Sequence, residues 1–502
     1  MVSGQWIQQT VSAVWLAAWG VSGMAAASCW RLRAPETRGR LLLTALALVA
    51  CISIAGLVAT LDVPDRDARL GWAVSIYVAA LGLWIVAFSR RHLAGDERYG
   101  RYLVWMTWTL FFASAAWRAD NAILFAACWV GMDVGLVRLI SLQRRSRAVR
   151  HVVRAAWIRL APSMAGIALL AGMCAWVSGR DSLRAGIAAL AHRPHIAFVA
   201  SLVLAAAALA QAGNVPFMRW LLDSAIAPTP VSALMHAGLV NAGGLLLARF
   251  APVLAAGGIL PRALLLAAAW ASVAIGTGVL MIHADYKRQL VASTMAQMGL
   301  MLMECAVGAY AIAVVHLWLH GLFKATLFLR SGSAVPRPDE VLVTQEAPSL
   351  RVPWPALVGA AFFLAYALPH PADGLRLVLG LFLGAACAAA LASAMALTVG
   401  RWMGAAITVL AGAIALVLRD ELVRACEVLL GTPQPADAQL ATVAAALMAL
   451  QAAFYAWLRR HARRPYALRA YAWLAHMGDA SPRAIEAQPM ALERLAEEAT
   501  LS

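Results

Sequence analysis

Two histidines and a lysine recur at four-residue intervals in one apolar stretch, as His316, His320 and Lys324. On a helix this spacing places the three side chains on one face, about 6 Å apart per step along the axis. Ionisable groups in membrane helices are costly and normally face the bundle interior, and histidine exchanges protons near neutral pH. The pattern therefore predicts a proton relay. Two other interpretations remain open: half of a metal site, for which no third ligand follows at a recognisable spacing, and buried histidines satisfied by neighbouring backbone groups.

A second set of polar residues lies within residues 211–250, a mostly apolar stretch that also contains glycine and proline residues at which helices break. The predicted helix breaks are at Gly213, Pro216, Pro228 and Pro230. Non-helical backbone at membrane depth persists only where protein or a water-filled cavity satisfies its polar groups, and broken helices are typical of ion-coupled transporters. His236, Asp223 and Gln211 lie around these breaks. We expect His236 to join the relay, and Asp223 and Gln211 to line it through water.

The composition limits the class of protein. Hydrophobic residues make up 62% of the 502 residues, charged residues 13%, and the mean hydropathy is +0.74, which indicates an integral membrane protein. The formal net charge is +16, and the basic residues lie in short loops between apolar runs. This distribution indicates the topology in the membrane rather than a binding surface, so we expect no nucleic acid as a partner. The seven cysteines are scattered singly without a C-x-x-C motif. We therefore expect no metal and no cofactor in this chain.

Apolar runs of about twenty residues recur along the chain and predict about fourteen or fifteen membrane helices. The approximate spans are residues 6–30, 41–61, 70–89, 102–117, 120–140, 152–178, 194–212, 229–250, 262–283, 287–308, 310–331, 354–370, 375–399, 402–419 and 437–458. Loops after the odd-numbered early runs are rich in arginine, which predicts an outside N-terminus and a cytoplasmic C-terminus. We assign residues 1–478 to a transmembrane proton-channel domain and residues 479–502 to a cytoplasmic tail.

Two motifs carry a family resemblance. Residues 216–249, with the run APTPVSALMHAG, and residues 285–299, DYKRQLVASTMAQMG, resemble the proton-translocating antiporter-like membrane subunits. That superfamily includes the large subunits of respiratory complex I and of multisubunit sodium/proton antiporters. The resemblance implies an all-α, polytopic fold with two inverted five-helix repeats, approximately residues 102–250 and 262–399, each containing a broken helix. It also places His316, His320 and Lys324 at positions of the family's proton path.

The chain departs from the respiratory members at two positions. Where those relatives have a proton-path glutamate after Trp129, this chain has Val130, and their mid-membrane lysine aligns near Gln211, which does not titrate. Asp133 lies on a neighbouring helical face and is either a replacement for the glutamate or a satisfied residue at a helix end. Glu304 lies near the far end of its helix, and we expect it to be interfacial. The two losses argue for a specialised relative rather than a complex I subunit.

The run HAGLVNAGG, residues 236–244, resembles DabB, the membrane subunit of DAB inorganic-carbon accumulation complexes. This resemblance implies a lipid-embedded subunit of the bacterial inner membrane that is not itself an enzyme. Protons, or another cation, would move through it down their gradient and drive a cytoplasmic, zinc-containing, carbonic-anhydrase-like partner of the DabA type. The alternative is a proton-pumping or antiporter subunit of a complex I-like or Mrp-type complex. A membrane anchor that only tethers a partner is a third possibility.

Overall fold

The structure, a computed structural model, describes residues 2–31, 35–61, 63, 65–143, 147–334, 354–367, 401–430 and 437–479, with isolated helical residues between 380 and 395. Its helices are α1 (Val2–Arg31), α2 (Pro35–Thr60), α3 (Arg66–His92), α4 (Tyr99–Arg118), α5 (Ala122–Ile140), α6 (Arg147–Ser178), α7 (Leu183–Ala191), α8 (Pro194–Gln211), α9 (Arg219–Asp223), α10 (Thr229–Leu234), α11 (Ala242–Arg249), α12 (Ala251–Ala256), α13 (Ile259–Ile282), α14 (Tyr286–Ala306), α15 (Tyr310–Leu329), α16 (Trp354–Ala367), α17 (Arg401–Leu430), α18 (Ala438–Arg460) and α19 (Pro465–Gly478). By length and composition, 11 helical stretches of the described residues are suited to cross a membrane. The predicted all-α polytopic class is confirmed.

Every predicted span apart from 375–399 overlaps one of these helices. Most of that span, part of the second predicted repeat and the tail beyond residue 479 lie outside the described residues, so the division into domains and repeats stays a prediction. The sequence did not predict the short helices α7 and α19, because neither is long enough to cross a membrane.

Helices α1, α3 and α4 pack through large aromatic side chains. Trp15 of α1 lies edge-on to Trp72 of α3, with ring centroids 6.3 Å apart, and its Nε1 donates to Ser75 Oγ at 3.0 Å. The Arg118 guanidinium, at the end of α4, lies over the Trp72 ring at 3.3 Å. Buried aromatic rings contribute large apolar areas, and their polar atoms need partners. This packing fixes α3, which carries a side chain of the candidate site.

Helix α8 ends at Gln211, and two residues later Gly213 adopts a φ of +62°, which residues with a Cβ rarely adopt. The chain passes through Pro216 and resumes as the short helix α9. The indole Nε1 of Trp220 donates to the carbonyl of Ala210 at 3.0 Å, which supplies a partner for backbone at this helix end.

Pro228 and Pro230 lie where the next helix starts, as the predicted span 229–250 implies. Pro228 immediately precedes α10 and Pro230 lies in its first turn, where a missing N–H leaves no hydrogen bond unmade. The break between α9 and α10 therefore ends at these prolines, where α10 begins. The irregular backbone follows in a π-helical segment, Met235–Leu239, before α11 begins. Such segments are rare and are often found at functional sites.

Arg249, the last residue of α11, ties this region to α4. It is buried, and its guanidinium donates to the carbonyls of Ala116 at 3.2 Å and Ala119 at 2.8 Å. These carbonyls belong to the C-terminal end of α4, where backbone oxygens lack helical partners and the helix dipole favours a cation. The bonds therefore hold the far end of α11 in place.

Two arginines fix α19 in a similar manner. Arg219 of α9 donates to the carbonyls of Met477 at 3.3 Å and Asp479 at 3.1 Å. Arg288 of α14 donates to the carbonyl of Gly478 at 3.2 Å. The C-terminal end of α19 is therefore attached to the short helix that follows the first helix break.

Candidate functional site

The three residues predicted as a relay lie on one face of α15. The ring centroids of His316 and His320 are 5.9 Å apart. Lys324 is 1% exposed, and its Nζ donates to the carbonyl of Leu290 on α14 at 3.0 Å. His320 is buried, and among the described residues its Nε2 has no hydrogen-bond partner. This nitrogen is available to exchange a proton with water.

His316 is held by two side chains of α14. Its Nδ1 lies 3.1 Å from Glu304 Oε2, and its Nε2 lies 2.9 Å from Gln297 Oε1. Glu304 is 5% exposed, so its carboxylate is buried against α15 and paired with His316. The seven-residue spacing of Gln297 and Glu304 places them on one helical face, a signal that the sequence did contain. The carboxylate stabilises a protonated imidazole at this end of the column.

His236 continues the column from the π-helical segment. Its ring stacks on Phe328, with centroids 4.4 Å apart and planes 5° from parallel. Phe328 lies four residues, about one helical turn, beyond Lys324 on α15. His236 is fully buried, and within the described part of the chain neither ring nitrogen has a hydrogen-bond partner. Buried polar groups without partners are costly, which indicates a place for a mobile partner such as water.

The π-helical segment is fixed by side chains on two elements and by a close helix crossing. The carbonyl of Ala237 accepts from Tyr77 Oη of α3 at 2.7 Å and from Asn241 Nδ2 at 2.6 Å. Gly321 of α15 faces this point, and a Cβ there would overlap the Tyr77 hydroxyl and the Ala237 carbonyl. Glycine thus allows α15 to approach the segment that carries His236.

A second buried cluster contains Asp133 and Gln211. Trp129 Nε1 donates to Ser163 Oγ at 3.0 Å, and Ser163 Oγ donates to Gln211 Oε1 at 2.8 Å. The Gln211 amide donates to Asp133 Oδ1 at 3.1 Å and to the carbonyl of Leu239 at 3.3 Å. The second carboxylate oxygen of Asp133 has no partner among the residues described. Asp133 is therefore an interior residue, and the bond to Leu239 joins its cluster to the π-helical segment.

Leu290, whose carbonyl accepts from Lys324, follows Lys287 by three residues on α14, and Lys287 lines a small crevice. Lys287 donates a hydrogen bond to the carbonyl of Ala227, and both line this crevice of about 240 Å³ together with Tyr102 and Pro228. The crevice therefore opens at the start of α10, less than two turns before His236. Asp223 is buried on α9, which packs against α6 and α14.

The interpretation of the two histidines as half of a metal site gains no support from the geometry. In the described ranges, no group of three or more histidine, cysteine, aspartate or glutamate side chains is placed to hold a metal ion. Both ring nitrogens of His316 already contact protein side chains.

The family follows from the sequence match. Residues 119–419 match the family model described as NADH:quinone oxidoreductase/Mrp antiporter, TM, a stretch that exceeds half of the chain. The chain belongs to this family. The match contains both buried clusters, so the side chains described above form the interior of an antiporter-like membrane subunit.

Relatives within this family carry two kinds of name. The chain is 35% identical over 460 residues to a probable inorganic carbon transporter subunit DabB of Bacillus subtilis (strain 168), with 89% of each chain covered. It is 38% identical over 325 residues to the DabB of Bacillus anthracis, covering 63% of this chain and 62% of the relative. It is also 31% identical over 310 residues to NADH-quinone oxidoreductase subunit L of Mycobacterium tuberculosis (strain CDC 1551 / Oshkosh), covering 59% of this chain and 47% of the relative. The predicted resemblance is confirmed.

Solved structures show the same fold. A chain of the Mrp complex from Dietzia sp. DQ12-45-1b matches with a TM-score of 0.66 at 19% identity, covering 98% of this chain and 59% of that one. A chain of the membrane-bound sulfane sulfur reductase, an archaeal respiratory membrane complex, matches with a TM-score of 0.58 at 14% identity, covering 93% and 98%. The chain is thus a multi-pass membrane protein with the fold of antiporter-like subunits.

Proposed function

We propose that this chain is the membrane subunit of an inorganic-carbon accumulation complex and conducts protons, or another cation, down their electrochemical gradient. The observation that carries the proposal is the column of Glu304, His316, His320, Lys324 and His236, in which His316 is partly buried and the other four are buried. Membrane proteins retain such groups at a cost and use them in proton relays. The 35% identity to DabB over 89% of both chains supports carbon accumulation as the process that is driven.

The route follows α15 from one side of the membrane to the other. Protons exchange at Glu304 and His316, pass along the face of His320 and Lys324, and leave toward the crevice beside Lys287. With the N-terminus outside and the C-terminus in the cytoplasm, the Glu304 end faces outward and the crevice faces the cytoplasm. Proton flow in that direction follows the gradient across a bacterial inner membrane.

The Asp133 cluster is a side branch of this route. Gln211 does not titrate, but its amide both donates and accepts hydrogen bonds, so it orients the Asp133 carboxylate and the π-helical segment together. Asp133 would then do the work of the proton-path glutamate of the respiratory relatives, whose position is occupied here by Val130. Its partner would be Gln211 and not the lysine of those relatives. Asp223 follows Gln211 in the sequence and is also buried, and it would line the hydrated part of the path.

The carbon chemistry belongs to a partner in this proposal. A cytoplasmic, zinc-containing, carbonic-anhydrase-like subunit of the DabA type would convert carbon dioxide to bicarbonate, and proton flow through this chain would make that conversion one-directional. One charge that crosses about 100 mV releases about 2.3 kcal/mol, enough to displace an equilibrium about fiftyfold. The gradient is therefore large enough for this task.

Replacement of His320 or Lys324 by alanine tests the proposal in cells that depend on carbon accumulation. Both variants should lose accumulation while the chain remains inserted and bound to its partner. His195→Ala is the matched control, because His195 is exposed beside the start of α8. Unchanged accumulation in both test variants would refute the relay.

The second candidate function is a pump or antiporter subunit of a complex I-like or Mrp-type assembly. The 31% identity to NADH-quinone oxidoreductase subunit L favours it. Co-purification followed by metal analysis distinguishes the two: a single large soluble zinc protein supports carbon accumulation, whereas several antiporter-like subunits support the alternative. A chain that only anchors a partner would show no proton flux in vesicles that contain the complex.

A further inference from the structure

A large basic crevice lies where the start of α2, the end of α3 and the start of α4 meet, next to the crevice beside Lys287, with which it shares His92, Asp96 and Tyr99. Its volume is about 1630 Å³. Four arginines line it, against two acidic residues: Arg40, Arg90, Arg91 and Arg101, with Asp96 and Glu97. The excess of positive charge favours an anion.

Two buried hydrogen-bond donors in this crevice lack acceptors. Tyr99 is 6% exposed, and neither its hydroxyl nor Arg90 Nε has a hydrogen-bond partner among the described residues. An arginine N–H can only donate, and a tyrosine hydroxyl can donate as well. Buried donors without acceptors are rare because they are costly. The pair therefore indicates a ligand that brings acceptor oxygens into the crevice, as a phosphate group does.

The walls of the crevice continue into the surface that faces lipid. Trp84, on the membrane-spanning helix α3, is 39% exposed and lines the crevice beside Phe88. Leu41, which follows Arg40 on α2, is also exposed. Tryptophan concentrates at the level of lipid headgroups, where its ring contacts both apolar and polar groups. A ligand in this crevice thus meets arginines at one end and an apolar helix surface at the other.

We propose that this crevice binds an anionic phospholipid. The headgroup phosphate accepts hydrogen bonds from Arg90, Arg91, Arg101 and Tyr99, and the acyl chains lie along Trp84 and the exposed side of α2. Basic pockets between membrane helices on the cytoplasmic side bind anionic headgroups in this way. Free phosphate or bicarbonate would satisfy the arginines but would leave the apolar wall unused, and an acidic protein segment would not extend along a lipid-facing helix.

Lipid titration of the purified full-length chain, followed by native mass spectrometry, tests the proposal. The probes are dioleoyl phosphatidylglycerol and dioleoyl phosphatidylcholine. The double variant Arg91→Gln/Arg101→Gln should bind phosphatidylglycerol about thirtyfold more weakly, since two headgroup cations are removed. The matched control is Arg180→Gln/Arg193→Gln, which removes two exposed arginines from loops elsewhere and should leave the affinity unchanged.

Further variants separate a lipid site from a structural effect. Arg91→Lys/Arg101→Lys should retain most of the affinity, and Tyr99→Phe should weaken phosphatidylglycerol binding without changing phosphatidylcholine binding. Equal affinity for the two lipids, or unaltered phosphatidylglycerol binding by the glutamine double variant, would overturn the proposal. Competition by inorganic phosphate as effective as that by phosphatidylglycerol would instead assign the crevice to a free anion. Loss of a co-purifying soluble protein, with lipid binding intact, would assign it to a protein partner.

Discussion

The Glu304→Gln substitution tests the buried column at its best-defined contact. Glutamine keeps the size of the side chain but removes the carboxylate that lies 3.1 Å from His316 Nδ1. A hydrogen bond to a charged group contributes about 1.5–3 kcal/mol. With a loss of about 2 kcal/mol, the ratio of protonated to neutral His316 falls about thirtyfold. If protons cross through His316, we expect the proton flux to fall by up to about thirtyfold.

The assay is proton uptake into proteoliposomes that contain the purified complex, followed with a pH-sensitive dye under an imposed membrane potential. Glu421→Gln is the matched control, because Glu421 also contacts a basic side chain, Arg424, at 2.6 Å, but in an exposed pair. Exposed pairs contribute little, so this variant should conduct as the wild type does. A Glu304→Gln complex with wild-type flux at equal protein content would refute the role of the Glu304–His316 pair.

Three other substitutions test separate parts of the structure. Gly321→Ala should lower the unfolding temperature in detergent, at a cost of about 1–3 kcal/mol, because the added Cβ overlaps the Tyr77 hydroxyl; stability equal to wild type would contradict the close crossing. Asp133→Asn replaces a buried titratable carboxyl group by an amide of nearly the same volume and should reduce proton flux while thermal stability is retained; normal flux would make Asp133 a structural residue. Arg249→Gln removes a guanidinium that donates to two carbonyls at the end of α4 and should destabilise the chain by about 3 kcal/mol in a denaturant titration; an unshifted midpoint would show that these bonds contribute nothing.

The elements of this fold follow from local sequence, because each membrane helix is encoded by its own apolar run. The shared face of His316, His320 and Lys324 is equally local, since a spacing of four residues determines it on any helix. The family motifs predicted the fold class for a related reason: long runs such as APTPVSALMHAG specify a particular interrupted segment.

The contacts between elements could not be predicted in the same way. Gln211 and Asp133 are 78 residues apart in sequence, and Tyr77 and Ala237 are 160 residues apart. Nothing in the local pattern of either partner indicates such a contact. The position of Glu304 near a helix end gives no sign of its partner, whereas packing of α14 against α15 places it beside His316.

The irregular backbone around His236 also could not be predicted from the local sequence. Prolines mark places where a helix starts or stops, and the sequence therefore drew attention to Pro228 and Pro230. The π-helical segment at His236 contains no proline and is held by hydrogen bonds from Tyr77 and Asn241. Such a segment depends on tertiary partners, so it becomes visible only in the folded chain.

Proton conduction by the purified complex, compared between the wild type and the His320→Ala variant in sealed proteoliposomes, decides whether the column on α15 conducts protons. We expect dye-detected proton flux for the wild type and for His195→Ala, and a loss of flux for His320→Ala with the same amount of folded protein in the bilayer. Flux through His320→Ala equal to that of the wild type would contradict the claim that this column carries protons across the membrane.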